Sequence, residues 1–459
     1  MRKARLSFLQ FPRRGWEFKC TRLYAPEPPL ERVDNDRRPT IEYTRSAGSP
    51  GGEDTMQLTS CKKHYGLDTQ RTVPPEETLG RAEAALPCAG ITRVADITAL
   101  DRIGIPVFSS IRPTAMAGAV SVYNGKGATP VEARVSAMME GIERYSAEMM
   151  TALPLEDYWS VAARESAVDP RDLIIPTSVD PFRPLPWVAG WDIINDECVM
   201  VPVHAVFHPV TGDSPHLFRT NTNGLASGNT LEEAIFHALM EIIERDAWSL
   251  AEITRRTGPA VNGIDDPLAS ELINKFSRAE VDVMVRDITS DIGIPTMAAV
   301  SDDIRLKDPA LLTIGMGTHT NARIAVLRAL TEVAQSRLTQ IHGAREDTTT
   351  ADLRRRIGYD RTKRLNRHWF SVQGEISFSA VASCDSDDFL TDIRVVCDAL
   401  KCKGLPRVIV VDLSRAEIGI PVVRVIVPGL ECFAMDQERI GRRCHEAALH
   451  RLSRTEPSA

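Results

Sequence analysis

The clearest periodic pattern of apolar and polar residues in the chain lies between positions 230 and 246. Leu231, Ile235, Leu239 and Ile242 recur at intervals of three or four residues. This spacing places them on one side of a helix and gives that helix a wide buried face. The stretch is therefore predicted to be an amphipathic helix packed on a core.

Two other segments repeat this helix. Residues 129–144 match residues 230–245 in register, sharing Thr, Glu, Ala, Met, Ile and Arg positions, and residues 325–335 form a fainter third copy. Internal repetition indicates similar structural units that pack against one another. A repeat that spans 129–335 therefore binds the middle of the chain into one unit.

The starts of the first two helices carry capping signals. Thr129 and Thr230 stand at the N-cap position, Glu132 and Glu233 follow three residues later, and Pro130 occupies the first turn. Such residues form a capping box, and proline is tolerated at this place in a helix. Both segments are predicted to begin with a capping box.

Each repeat carries a pair of polar residues three positions apart. The equivalent pairs are Glu140 and Glu143, Glu241 and Glu244, and Glu332 and Gln335. Residues three apart share a helix face, so the glutamates are like-charge neighbours. A solvated glutamate stripe explains one such pair, but here apolar residues flank the pairs and the pattern recurs.

Convergence of the three helices would crowd five carboxylates and a glutamine into one cavity. Two unit charges 4 Å apart repel by about 4 kcal/mol at an effective dielectric of 20. Cations would relieve this repulsion, and Mg²⁺ characteristically shares a few carboxylates with the phosphates of a substrate. The sequence therefore predicts a Mg²⁺–nucleotide site.

A short stretch rich in glycine or small polar residues precedes each repeated helix. These stretches are 124–127, which contains Lys126, then 221–229 and 315–319. Backbone amides before a helix start favour an anion, but a plain turn explains 124–127 better and 221–229 equally well. The 124–127 stretch lacks the spacing of a Walker loop.

The remaining chain is predicted to alternate between helices and strands. Helices are expected at 76–85, 262–279, 388–403 and 436–452, and strands at 104–111, 117–123, 281–287, 294–300, 406–413 and 420–427. The last two strands are β-branched and nearly continuous, which favours central positions in a sheet. Residues 1–75 lack a sustained period and are predicted to be a disordered arm, and 76–459 is the predicted folded domain.

Composition excludes several classes of function. The chain has 459 residues, 43% hydrophobic and 25% charged, as in ordinary globular proteins, and its net charge of −7 gives no reason to expect nucleic acid. No apolar run approaches the length of a transmembrane helix, so no membrane partner is expected. Nine scattered cysteines with no Cys-x-x-Cys favour free thiols in a reducing compartment, and hence a cytoplasmic location.

Taken together, the motifs resemble those of the YcaO superfamily. The matching stretches are Ser-Ala-Met-Met-Glu-Gly-Ile-Glu-Arg at 136–144, Asn-Gly-Leu-Ala-Ser-Gly-Asn at 223–229, Glu-Ile-Ile-Glu-Arg-Asp at 241–246, Arg-Ala-Leu-Thr-Glu-Val-Ala-Gln-Ser-Arg at 328–337 and Gly-Ile-Pro-Val-Val-Arg-Val-Ile-Val-Pro-Gly-Leu-Glu at 419–431. The resemblance covers roughly 80–450. It implies an α+β fold with internally repeated helix and strand units around a glutamate-lined site for ATP and Mg²⁺.

The resemblance also implies roles for individual residues. It implies catalytic roles for Glu140, Glu143, Glu241, Glu244 and Arg245, with the four glutamates also serving as the Mg²⁺ ligands. It implies nucleotide contacts by Lys126, Ser136, Asn229, Glu233, Glu332, Gln335 and Arg337. The implied activity is ATP-dependent activation of a peptide backbone amide by phosphorylation of its oxygen.

Two products follow from an activated amide. External sulfide gives a thioamide, whereas a neighbouring Cys, Ser or Thr side chain gives an azoline ring. Azoline-forming members of the family commonly end in Pro-x-Pro-x-Pro, and this chain ends in Arg-Thr-Glu-Pro-Ser-Ala. The sequence thus resembles the thioamide-forming branch, which works beside a TfuA-like sulfur-delivery partner on a peptide or protein substrate, and a homodimer is expected from size and family.

Two other classes of function stay open at the sequence level. One is a non-enzymatic scaffold that presents another enzyme to its target, although a scaffold need not keep a strained acidic cavity. The other is an ATP-dependent ligase or kinase of a small carboxylate. A phosphate site alone does not distinguish this ligase or kinase from the peptide-modifying enzyme.

Overall fold

The computed structural model describes residues 56–211, 216–346 and 350–453, and these described residues group into one compact unit. Its helices are α1 (Pro75–Ala85), α2 (Pro130–Ser146), α3 (Tyr158–Ala162), α4 (Leu231–Thr254), α5 (Pro267–Arg278), α6 (Ala322–His342), α7 (Thr350–Ile357), α8 (Tyr359–Leu365), α9 (Arg367–Phe370), α10 (Phe389–Cys402) and α11 (Arg442–Ser453). None of these helices is both long and apolar enough to cross a bilayer.

The strands are β1 (Tyr65–Gly66), β2 (Gln70–Arg71), β3 (Arg93–Asp96), β4 (Val107–Ile111), β5 (Val122–Lys126), β6 (Leu155–Glu156), β7 (Leu185–Asp192), β8 (Glu197–Pro202), β9 (Leu225–Ser227), β10 (Ala260–Asn262), β11 (Asp282–Asp287), β12 (Thr296–Asp302), β13 (Thr313–Thr318), β14 (Glu375–Ser377), β15 (Ile409–Asp412) and β16 (Val422–Ile426). Besides the β1–β2 hairpin they form three sheets, with orders β3-β4-β5, β13-β12-β11-β10-β14, and β6-β7-β15-β16-β9 with β8 beside β7. Only the β10–β14 pair is parallel among these described ladders.

The repeated sequence is a repeated strand–turn–helix unit. α2 packs on β5, α4 on β9 and α6 on β13, so each repeat helix rests on the strand just before it. Each helix also contacts the strand of another unit: α2 meets β9, α4 meets β13, and α6 returns to β5. These cyclic contacts bring the three helices together at one place.

Each repeat helix buries its apolar face in a different core. Met138 and Ile142 of α2 lie in the core under α1, β7 and β8, and Ile235 of α4 lies in the core shared with α10, β15 and β16. Leu327 and Leu330 of α6 lie in the core with α5, β11 and β12. The three glutamate-bearing faces are thereby left for the region where the units meet.

Glycines before the repeat helices serve close packing more than turning. Gly125 lies within β5 and Gly315 within β13, where the sequence predicted glycine-rich turns. A Cβ atom added to Gly125 would fall well under 3.0 Å from the backbone nitrogen of Ala137 in α2, and one on Gly315 would clash likewise with Val333 in α6. The missing side chains let each helix lie directly on its strand.

The boundary at residue 75 needs correction in part. The prediction of disorder for 1–55 lies outside the described residues, but 56–75 form an ordered segment that includes β1 and β2. The Thr59 amide donates to Glu232 at 2.9 Å, and the Lys63 amide donates to the Asp387 carbonyl at 2.9 Å. Contacts from α4 and the start of α10 order this segment, and such distant partners leave no periodic signal in its own sequence.

Most other predicted elements are present with shifted ends. The helix predicted at 262–279 begins later, at Pro267, because Asp266 caps it, and the first predicted residue, Asn262, ends β10. β11 and β12, the strands predicted at 281–287 and 294–300, pair in antiparallel fashion. β15 and β16 are central, as predicted, each lying between two neighbours in its sheet.

Candidate functional site

The three repeat helices line one cavity of about 740 Å³. All but one of the residues assigned by resemblance lie in its wall: Lys126, Ser136, Glu140, Glu143, Asn229, Glu233, Glu241, Glu244, Arg245, Glu332 and Gln335. Pockets for small molecules commonly have volumes of about 300–1,000 Å³. The three residue pairs therefore converge on one cavity, as the sequence predicted.

Cations accompany most of these glutamates. Arg144 lies 3.1 Å from Glu140, Arg245 lies 3.8 Å from Glu244, and Lys126 pairs with Glu332 across the β5–α6 contact. The sequence argument counted the carboxylates and expected bound cations to relieve their repulsion. Part of that relief comes instead from the protein's own basic side chains.

Two members of the pairs reach across to the strand of another unit. Glu143 of α2 accepts hydrogen bonds from the Ser227 amide at 3.0 Å and the Ser227 hydroxyl at 2.7 Å, both in β9. Gln335 of α6 donates to the Asn124 carbonyl in β5. These contacts fix the glutamate faces relative to one another and help to form the cavity.

Several carboxyl groups in the cavity hold their protons more tightly than usual. Burial raises the pKa of Glu143 to about 7 and raises that of Glu241. Burial and the neighbouring Glu332 raise the pKa of Glu244 to about 7. Burial also opposes ionisation of Glu332, but the charges of Lys126 and Arg245 outweigh it and lower the pKa of Glu332. Perturbed carboxyl groups in a cleft are typical of functional sites.

The capping box predicted for α4 is only half formed. Thr230 accepts from the Glu233 amide, but the Glu233 side chain accepts from the Thr72 amide at 2.9 Å and the Thr72 hydroxyl at 2.7 Å. The Asn229 amide group also donates to Glu233 at 3.1 Å. Glu233 therefore anchors the segment after β2 to the cavity wall, whereas the box of α2 is complete, with Thr129 and Glu132 as predicted.

Arg337 is the assigned residue that lies away from the cavity. It is fully buried and pairs with Asp101 at 2.9 Å and Asp303 at 3.1 Å. It follows Gln335 by two residues, and two residues turn a helix through more than half a circle, so the two side chains cannot share a face. The resemblance-based assignment of Arg337 to the nucleotide is therefore not supported by its position.

Other residues of the wall escaped the sequence argument. Arg328 and Arg144 line the cavity, and each stands four positions from a glutamate of its own helix, a spacing that could have revealed them. Asp68 and Arg71 come from the segment around β1 and β2, which the sequence placed in the disordered arm. Nothing in their local sequence indicates that they belong to a site.

The donor set suits a metal ion that arrives with phosphates. Among the described residues no three carboxylate, imidazole or thiol groups are arranged to hold a metal ion by themselves. Mg²⁺ typically takes one or two protein carboxylates and completes its coordination with water and substrate phosphates. Glu140, Glu143, Glu241 and Glu244, set around a cavity with basic side chains, fit such a shared site.

The chain belongs to the YcaO family. The family model, described as YcaO cyclodehydratase, ATP- and Mg²⁺-binding, matches residues 124–431, which include all three repeats. The predicted family and α+β fold class are confirmed, and ATP and Mg²⁺ are the ligands by which the family is described.

Two relatives extend the match over most of the chain. A protein of Methanothermobacter thermautotrophicus is 53% identical over 382 residues, which is 81% of this chain and 98% of the relative. A protein of Rhizobium leguminosarum bv. trifolii, named for its place in the tfuA 3′ region, is 33% identical over 390 residues, 79% of this chain and 88% of the relative.

A solved structure shares the fold. YcaO from Methanopyrus kandleri, bound with AMPPCP and Mg²⁺, superposes with a TM-score of 0.71 at 30% identity. The match covers 83% of this chain and 98% of that chain.

Proposed function

We propose that this protein uses Mg²⁺–ATP to phosphorylate the oxygen of a peptide backbone amide, and that the activated amide is converted to a thioamide. The observation that carries the proposal is the convergence of three repeated carboxylate faces, with basic residues between them, on one cavity of about 740 Å³. The family to which the chain belongs is described as binding the same two ligands.

The cavity residues divide into two chemical roles. Glu140, Glu143, Glu241 and Glu244 would hold Mg²⁺ together with the phosphates, since a hard cation prefers oxygen ligands. Lys126 and Arg245 would stabilise charge that develops on the transferred phosphoryl group. Catalysis by such a site rests mainly on positioning and electrostatic stabilisation.

The chemistry balances with sulfide as the second substrate. The amide oxygen bonds to the γ-phosphorus of ATP and ADP leaves. Hydrosulfide then adds to the amide carbon, and the oxygen departs with phosphate as the C=S bond forms and the sulfur proton is released. The peptide gains sulfur in place of oxygen, and ATP is converted to ADP and phosphate.

The thioamide branch draws its support from the relative named for the tfuA 3′ region. A TfuA-like partner that delivers sulfur is accordingly part of the proposal. Azoline formation remains the second candidate, because the family description is that of a cyclodehydratase.

The test is intact-mass analysis of candidate peptides encoded beside the gene, after co-expression with this protein and any adjacent TfuA-like protein. Replacement of one oxygen by sulfur in a peptide supports the thioamide proposal. Loss of one water identifies the azoline reaction instead. If the mass of every candidate peptide stays unchanged, a scaffold or a small-molecule ligase becomes the favoured function.

A labelled peptide tests the activation step itself. When the amide oxygen carries a heavy isotope, the label must appear in inorganic phosphate if that oxygen is phosphorylated and expelled. Label retained in a modified peptide would contradict the mechanism. A small-carboxylate ligase would release phosphate without any dependence on the peptide.

A further inference from the structure

A second, smaller cavity of about 60 Å³ lies behind the wall of the main cavity. Thr222 and Leu225 line the main cavity, whereas Asn221 and Asn223 line the small one, so a single stretch of chain separates them. A cavity needs a volume of roughly 10–15 Å³ to hold one water molecule. The small cavity therefore has room for a small ion but not for a peptide or a nucleotide.

Arg424 of β16 brings an incompletely satisfied charge to this cavity. Its exposure is 4%, its Nε donates to the Ala205 carbonyl at 3.0 Å, and its Nη2 donates to Asn221 Oδ1 at 3.4 Å. Its Nη1 is buried and has no hydrogen-bond partner, and the described residues place no carboxylate within salt-bridge distance of it. A buried charge without a partner is costly, because the lost hydration is not replaced.

A second buried guanidinium lies in the same wall. Arg439 is 8% exposed and donates to the carbonyls of Ile174 and Leu173 at 2.8 and 2.7 Å. Its guanidinium carbon lies 3.8 Å from the centroid of the Phe218 ring. It also has no carboxylate within salt-bridge distance among the described residues. Asp172 is the one carboxylate-bearing residue among the described wall residues, and it is exposed to solvent.

Two buried cations thus line one small cavity without a balancing anion from the wall. The Oδ1 atom of Asn223 is also buried without a partner, and rotation of that carboxamide would turn its NH₂ group toward the space. We propose that the small cavity is a binding site for one small inorganic anion, held by Arg424 and Arg439.

Two sources of that anion are distinguished by chemistry. Chloride would act as a fixed counter-ion. It would support the wall that carries Glu241, a carboxylate whose charge interacts with that of Arg424. Hydrosulfide would be a reactant held beside the main cavity, and this source rests on the proposed thioamide function. Both are small monovalent anions, so the site itself does not depend on which one is used.

Bromide is the probe for the site. Crystals of the full-length protein soaked in sodium bromide should show an anomalous peak between Arg424 and Arg439. In solution, bromide should raise the unfolding temperature saturably relative to sodium gluconate at the same ionic strength, because gluconate is too large for the cavity. Absence of the peak from the cavity, with bromide bound only on the surface, overturns the proposal.

Variants test whether bromide binding depends on Arg424. R424Q should weaken bromide binding by about tenfold or more, the loss expected for a charge-assisted hydrogen bond, whereas R424K should retain part of it. R415Q is the matched control, because Arg415 also has a buried unpartnered Nε but donates to the carbonyls of Ser146 and Glu148 away from this cavity. Equal loss in R415Q and R424Q would overturn the assignment, and the crystal soak stays decisive if R424Q fails to fold.

Kinetics separate the two sources. If hydrosulfide uses the site, bromide raises the KM for sulfide and leaves the KM for ATP unchanged. If bromide binds without that competition, the anion is a structural counter-ion. Failure to form any thioamide would refute the proposed function, while the anomalous peak would still decide the anion site.

Discussion

At the residue scale, the carboxyl groups of the cavity differ in what compensates their charge. Arg144 pairs with Glu140 and Lys126 pairs with Glu332. For Glu143 and Glu244, burial outweighs the nearby arginines and keeps the pKa near 7. A metal ion would supply the missing compensation, because it binds the ionised form. The glutamates therefore favour ligand binding but lower the stability of the ligand-free protein.

Replacement of Glu244 should separate function from folding. In Glu244→Gln, ATP-dependent modification should fall by about 100-fold or more, since one ligand of the phosphate and metal site is lost. The variant should unfold at the same or a higher temperature without Mg²⁺, because a buried charge is removed. Peptide modification and thermal unfolding measure the two effects. Full activity in both Glu244→Gln and Glu241→Gln would contradict the glutamate assignment.

The raised pKa of Glu143 predicts opposite effects of pH on stability and on binding. Its pKa is about 7 when folded and near 4.5 when unfolded, so the folded chain holds more protons between these values. Stability of the ligand-free protein should fall as pH rises through this range, by on the order of 1–3 kcal/mol from this group. Mg²⁺ affinity should rise over the same range, because protons compete with the metal.

Glu143→Gln provides the control for this pH dependence. The variant removes the titrating group and keeps its shape, so its unfolding temperature should vary less between pH 5 and 8 than that of the natural chain. An unchanged pH profile in the variant would show that another group is responsible. Thermal unfolding of both proteins at each pH measures the difference.

Arg337 and Arg328 should respond differently to replacement. Arg337→Ala leaves Asp101 buried without its partner and removes one of the two arginines that pair with Asp303, so it should cost about 3–5 kcal/mol of stability. Arg328→Ala removes a cation from the cavity wall and should raise the KM for ATP with a smaller loss of stability. A well-folded Arg337→Ala that binds ATP weakly would instead support a role for Arg337 in nucleotide binding.

At the element scale, the strand–turn–helix unit depends on contact between backbones. Gly125→Ala should destabilise the protein by about 1–3 kcal/mol or more, because the added methyl group meets the backbone of α2. Gly80 in α1 is the control, since its Cβ position is open and alanine favours a helix by up to about 1 kcal/mol. Denaturant unfolding compares the two variants, and equal effects would argue against tight packing of β5 on α2.

At the scale of the whole molecule, the cavity exists only where the three repeat units meet. Mg²⁺ with a non-hydrolysable ATP analogue should therefore slow hydrogen exchange in α2, α4 and α6 together, with α5 as an internal control outside the cavity. Protection confined to one of the three helices would contradict a shared site. Mass spectrometry of peptides from each helix measures the exchange.

The sequence by itself determined the repeat, the helices and the pairing of glutamates, because helical periodicity and N-cap residues are local signals. The cavity positions of the paired residues followed from those helix faces: Glu140, Glu143, Glu241, Glu244, Glu332 and Gln335. Arg337 was assigned by resemblance like the others, but it lies on another face of α6, two residues beyond Gln335, and pairs with Asp101 and Asp303.

Only the tertiary structure decided how the repeats meet and what completes the cavity. The hydrogen bonds of Glu143 to Ser227 and of Glu233 to Thr72 join residues 84 and 161 positions apart. The two uncompensated arginines of the small cavity likewise come from different parts of the C-terminal region. Such contacts arise from packing between distant segments, and no local pattern of residues encodes them.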